Sequence, residues 1–144
     1  MKLIIAGSRT FCCQVKTHDW KPQSNCLECR SLVKKIESVI NEEGLTPTII
    51  VSGRAKGADR LGELYGALKG LPINYYPANW DEQGKAAGMI RNQKMGDDSD
   101  AAVIMWNGKS RGSINMRNVM IKLQKPCFFF DYSRGEMVRF NEKN

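Results

Sequence analysis

Short runs of aliphatic and β-branched side chains recur along the chain, separated by stretches whose apolar positions fall at helical spacing. The first run, Leu3-Ile4-Ile5-Ala6, predicts a strand over 2–6 that is apolar on both faces, as buried parallel strands are. Leu32, Val33, Ile36, Val39 and Ile40 mark one face of a helix over 27–43, with Gly44 placed to stop it. Thr48-Ile49-Ile50-Val51 predicts a second strand. Leu61, Leu64, Tyr65 and Leu68, at i, i+3, i+4 and i+7, predict a helix over 57–69. Gly70-Leu71-Pro72 breaks that helix ahead of a third strand, Ile73-Asn74-Tyr75-Tyr76. Pro77-Ala78-Asn79-Trp80-Asp81 reads as a loop, and a third helix covers about 83–97 with Met89 and Ile90 turned to the core. The run from Ala101 to Trp106 is a fourth strand behind a solvated acidic cap, Asp97-Asp98-Ser99-Asp100. A loop over 107–113 precedes a helix with Met116, Val119, Met120 and Leu123 in register. A fifth strand covers 127–130, with Cys127 as a small core residue, and Met137-Val138-Arg139-Phe140 leaves material for a short edge strand.

Strand and helix alternating in this way predict an α/β protein: a single Rossmann-like domain over 1–144, with a five-stranded, mainly parallel sheet and helices on both faces. Such sheets bind ligands outside the carboxyl ends of their strands, near the point where strand order reverses. Three loops at that edge combine glycine with hydroxyl or basic side chains. In Gly7-Ser8-Arg9 the serine can donate to a phosphate oxygen and the arginine can fork onto one. In Ser52-Gly53-Arg54-Ala55-Lys56-Gly57-Ala58-Asp59 the glycines Gly53 and Gly57 let the backbone approach a ligand, while Arg54 and Lys56 add charge. Asp59, in the first turn of the following helix, can accept hydrogen bonds from hydroxyls or cap N–H groups. Asn107-Gly108-Lys109-Ser110-Arg111-Gly112-Ser113 aims another helix N-terminus at the same edge. Neither a Walker loop nor G-x-G-x-x-G is present, so the recurrence of this chemistry, rather than any one loop, points to a phosphate-bearing ligand.

Charge sharpens this picture. A net charge of +7 and a pI near 9.3 favour nucleotides, phosphorylated metabolites or nucleic acid as partners. The basic residues are scattered, which suits a small anion at least as well as a polymer. No apolar run approaches a membrane span, and the apolar start is too short for a signal peptide, so a cytoplasmic protein is expected. Five cysteines, an odd number, argue against a disulfide framework. Cys26 and Cys29 with His18 and one of Cys12 or Cys13 would supply four zinc ligands of a permitted kind. Their spacing matches no common finger, and reduced, unliganded loop cysteines are the simpler reading.

Several linked motifs carry a family resemblance. They are Gly7-Ser8-Arg9-Thr10, Ser52-Gly53-x-Ala55-x-Gly57-Ala58-Asp59-Arg60, Pro77-Ala78-x-Trp80, Gly84-Lys85-Ala86-Ala87-Gly88-x-x-Arg91-Asn92-x-x-Met95 and Trp106-x-Gly108-x-Ser110-x-Gly112. Together they resemble the YspA-like, cpYpsA-related branch of the SLOG superfamily, whose Rossmann-like members include cytokinin-activating phosphoribohydrolases and the DNA-processing protein DprA. The resemblance covers the whole chain except 12–26, which looks like a cysteine-rich insertion. It implies binding of a nucleotide or nucleotide-derived ligand, with no required cofactor and with a homodimer as the family's habit. The resemblance implies that Gly7, Ser8, Arg9, Gly53, Gly57 and Asp59 line the pocket, with Trp80, Arg91, Asn92, Ser110 and Gly112 as weaker matches. One departure matters: where the phosphoribohydrolases carry a catalytic Glu, this chain has Leu61. That favours binding over N-glycosidic hydrolysis, with Asp59 as the carboxylate left to serve a hydrolase and DprA-like nucleic-acid binding as the remaining alternative.

Overall fold

The computed structural model describes residues 1–8, 27–55 and 57–141. Its elements run β1 (Lys2–Gly7), α1 (Leu27–Glu42), β2 (Ile49–Ser52), α2 (Ala58–Lys69), β3 (Ile73–Tyr75), α3 (Trp80–Gln83), a 3-10 turn (Gly84–Ala86), α4 (Ala87–Asp98), β4 (Ala101–Trp106), α5 (Arg111–Lys122), β5 (Cys127–Asp131) and β6 (Glu136–Phe140). The sheet has six strands in the order β3-β2-β1-β4-β5-β6. All neighbours are parallel except β5 and β6, which form an antiparallel hairpin. The expected five strands are therefore one short. β6 has no buried position and alternates only between exposed and half-buried ones, as an edge strand does. Its turn is set by Asp131, whose Oδ1 accepts from Ser133 N at 2.9 Å.

Alternate residues of β1 divide the core. Leu3 and Ile5 face Val33, Ile36 and Ile40 of α1 with Leu61 and Tyr65 of α2. Ile4 and Ala6 face Met95 of α4 with Met116 and Met120 of α5. Helices thus cover both faces, and β1 and β4 are buried along almost their whole length. Among the described residues no helix is long and apolar enough to cross a membrane.

Helix ends follow their sequence signals closely. Gly44 (φ +66°) closes α1, with Leu45 N donating to Ile40 O at 2.9 Å and Gly44 N to Asn41 O at 3.2 Å. Gly70 ends α2 in the same way. Leu68, by contrast, is 53% exposed rather than part of the buried stripe. The helix lies down on the sheet through Gly62 and Gly66, where a Cβ would meet Ile5 Cβ at 2.6 Å and Ile50 Cγ1 at 3.2 Å. That close approach rotates Leu68 outward.

Two further differences concern the site. The expected helix over 83–97 is broken: Trp80 begins α3, capped by Asn79 accepting from Glu82 N at 3.2 Å, and only after the 3-10 turn does α4 run on. The expected loop over 107–113 ends early, because Ser110 is the N-cap of α5 and Gly112 already lies in the helix.

Candidate functional site

A cavity of about 550 Å³ opens at the carboxyl edge of the sheet, beside the β1–β4 pair where strand order reverses. Its walls come from the end of β1, the β2–α2 loop, α4 and the first turn of α5. The end of β1 is held tightly. Gly7 pairs with Met105 of β4, and a Cβ on Gly7 would lie 2.1 Å from the Met105 carbonyl oxygen, so only glycine fits. Ser8 is fully buried and fastens three segments at once. Its N–H donates to Met105 O at 2.9 Å, its carbonyl accepts from Ala58 N at 3.3 Å, and its Oγ accepts from Asn107 N at 3.0 Å.

The floor is a carboxylate held beside a guanidinium. Asp59, 4% exposed in the first turn of α2, accepts from Ala55 N at 3.2 Å through Oδ2. Arg91 reaches across from α4 to donate through Nη1 to the Gly53 carbonyl and through Nε to Asn92 Oδ1 at 3.0 Å. Gly53 must be glycine for space: a Cβ there would meet Arg91 Nη1 at 2.7 Å and Asp59 Oδ2 at 2.8 Å. Asn92 continues the chain of contacts, donating through Nδ2 to Asn115 Oδ1 at 2.8 Å and to Gly112 O at 3.3 Å. These bonds join the β2–α2 loop, α4 and α5 into one polar wall.

Burial pushes the Asp59 carboxyl up to about 6 from 3.8. Arg91 and the N–H groups of Ala55 and Gly7 pull it down, Glu63 pushes it up, and burial prevails. Between 3.8 and about 6 the folded protein holds more protons than the unfolded chain, so stability falls as pH rises through that window. Asp59→Asn, which keeps a neutral acceptor in place, is expected to stabilise the protein at pH 8 by up to about 3 kcal/mol. The gain should vanish near pH 4. Urea midpoints at the two pH values check this, and an equal gain at both would show that the charge is not its source.

The structure separates other expected ligand residues from the cavity. Arg54 (φ +63°) turns away, its Nη1 2.8 Å from Glu63 Oε1 and its guanidinium over the Tyr75 ring. Glu63 Oε2 also accepts from Ser52 Oγ at 2.6 Å, and Ser52 Oγ accepts from Arg54 N at 3.1 Å. This clamp offsets the roughly 1 kcal/mol that a left-handed non-glycine residue costs. Gly108 (φ +91°) sits against Ser133 and lines a different, smaller cleft. Gly57 (φ +84°, ψ −127°) forms the N-cap of α2 in a backbone shape reserved for glycine.

The mouth is basic and partly apolar. Asn107 Oδ1 accepts from Lys109 N at 2.9 Å and Ser110 N at 3.1 Å, fixing the turn into α5. Ser110 Oγ accepts from Ser113 N at 3.3 Å, and the Ser110 carbonyl accepts from Trp106 Nε1 at 3.0 Å. The positive end of α5 and the basic residues Lys85, Arg91, Lys109 and Arg111 line the cavity together, with Asp59 the only acid among its described lining residues. Trp80 and Met89 line it too, at 51% and 60% exposure, so Met89 is not the core residue its helical position suggested. The Trp80 indole lies along Gly88, where a Cβ would come within 3.3 Å of the ring. Lys85, Lys109 and Arg111 stood within the expected loop and motifs without being singled out as ligand residues, although Ser110-x-x-Ser113 is a legible N-cap that would have set the start of α5 and pointed to its neighbours.

Arg9, Lys56, Cys12, His18, Cys26 and the rest of the 12–26 insertion lie outside the described residues. Of the zinc candidates only Cys29 is described, and it is buried within α1. Among the described residues no group of three or more His, Cys, Asp or Glu side chains is placed to hold a metal. No family model, curated protein or solved structure matches the chain.

Proposed function

We propose that this chain is a Rossmann-like domain of the SLOG kind that binds a nucleotide or nucleotide-derived ligand at the carboxyl edge of its sheet. The observation that carries the reading is the convergence of Lys85, Arg91, Lys109, Arg111 and the α5 N-terminus on one cavity beside the strand-order reversal. Phosphate oxygens suit that cationic wall, and the exposed Trp80 indole suits a base. The basic side chains meet in a recess rather than in a stripe, which favours a small molecule over a nucleic-acid strand.

The test is chromatography with mass detection of a panel of mononucleotides, NAD, ADP-ribose and cyclic dinucleotides, before and after incubation with the protein. Material released by denaturing the protein is run alongside. A nucleotide retained by the protein, with affinity falling about 10- to 100-fold in a Lys109→Ala, Arg111→Ala double variant, is the expected result. Undiminished binding in that variant, or no binding across the panel, would overturn the reading.

A second reading, N-glycosidic hydrolysis, draws on Asp59, a buried carboxyl facing the cavity and poised to exchange a proton near neutrality. Free base released from the panel and lost in Asp59→Ala would establish it. Hydrolysis surviving in that variant would remove Asp59 from the role.

A further inference from the structure

We propose that anion binding in this cavity is coupled to protonation of Asp59, so that the ligand draws proton onto that carboxyl as it binds. The inference rests on the anion-binding reading above and concerns how that site is regulated. Its basis is placement. Asp59 lines the same cavity as Lys85, Lys109, Arg111 and the α5 N-terminus, and is almost wholly shielded from water. A ligand anion drawn in by those cations enters the field of a buried carboxylate that water screens poorly.

The groups around Asp59 determine the sign. From α4 the Arg91 guanidinium faces it; from α2 itself comes Glu63; from β1 and the β2–α2 loop come the N–H groups of Gly7 and Ala55. These are the described charged and hydrogen-bonding groups that act on it. Of the two charges Arg91 alone favours the ionised form, and Arg91 also lines the cavity. A bound phosphate oxygen would draw on the same guanidinium, weakening its hold on Asp59 while adding a negative charge of its own. Both effects push the carboxyl toward its neutral form. The proton comes from solvent, and the resulting carboxylic acid gains an O–H that can donate to the ligand. No covalent bond to the ligand is made or broken. The carboxyl already sits at about 6 in the free protein, so a modest further rise falls where the proton is readily exchanged.

The probe must not titrate in the same range, which excludes terminal phosphates, whose second ionisation lies near pH 6. ADP-ribose, whose pyrophosphate is esterified at both ends and so has no terminal phosphate to titrate, and inorganic sulfate at constant ionic strength meet that condition. The experiment follows the Asp59 carboxyl carbon by NMR from pH 4 to 9, with and without each probe. The midpoint is expected to rise by about one pH unit on binding. ADP-ribose affinity should correspondingly fall about fivefold between pH 6 and pH 8. In Asp59→Asn the affinity should become independent of pH over that range. Shifts in the α5 N-terminal amides with an unmoved Asp59 midpoint would overturn the coupling while leaving the anion site standing. If neither probe perturbs the cavity, coupling and anion binding fall together.

Discussion

Gly7→Ala is expected to cost about 4 kcal/mol or more, a large part of what a domain of this kind has to spare. The new Cβ would lie 2.1 Å from the Met105 carbonyl oxygen and 2.9 Å from Met105 N and C. None of these is the end of a flexible side chain. All are backbone atoms of β4, which is held by β1 on one side and β5 on the other. Relieving the overlap means pulling β4 out of register or bending β1, and either also lengthens the Ser8 N to Met105 O bond. At φ +150° an alanine would be strained even with space available. Equilibrium urea unfolding of the two chains measures the difference. A loss below about 1 kcal/mol would mean that the end of β4 yields, contrary to its position in the middle of the sheet.

The second large effect belongs to Arg91. Arg91→Ala removes the guanidinium that faces Asp59 and releases the Gly53 carbonyl, leaving a buried carboxylate without its counter-charge. Because Arg91 is itself partly exposed, the expected loss at pH 8 is about 2–3 kcal/mol, less than breaking a fully buried pair costs. Near pH 4 Asp59 is largely protonated in the folded state, and the loss should shrink to about 1 kcal/mol, the worth of the hydrogen bonds alone. Arg91→Ala combined with Asp59→Asn should recover most of the deficit at pH 8. A double-mutant cycle at the two pH values tests it. Strict additivity at pH 8 would mean that the two charges do not feel each other, and the account of the cavity floor would be wrong.

The layers of the fold were readable because they depend on periodicity. Doubly apolar runs became β1 and β4, and helical stripes such as Val33, Ile36 and Ile40 became the buried sides of their helices. Periodicity failed where another force set the contact. Leu68 fits the α2 stripe by spacing, but the glycines at 62 and 66 set how the helix lies on the sheet. The short edge strand expected from Met137 to Phe140 formed as β6, whereas the start of α3 was marked by cap chemistry, Asn79 with Glu82, rather than by apolar pattern. At the site, the loops that carry it were legible, but not the direction in which each side chain points. Arg54 and Arg91 look alike in sequence. A left-handed backbone and Glu63 turn the first toward Tyr75, while α4 delivers the second to the floor of the cavity. Such sorting depends on partners distant in the chain, as with Arg91 and the Gly53 carbonyl, and no local pattern records it.

Ser8 has a consequence for how the cavity can move. Its N–H, carbonyl and hydroxyl are tied respectively to the end of β4, the start of α2 and the turn leading to α5. The two sides of the recess therefore share one hinge pin and cannot swing as separate jaws. Freeing either side means breaking bonds at a residue with no exposure to water. Changes of shape are left to the lip, where Trp80 and Met89 stand half in solvent. The inner end acts as a rigid gauge, set before any ligand arrives, and the lip adjusts around what the gauge admits.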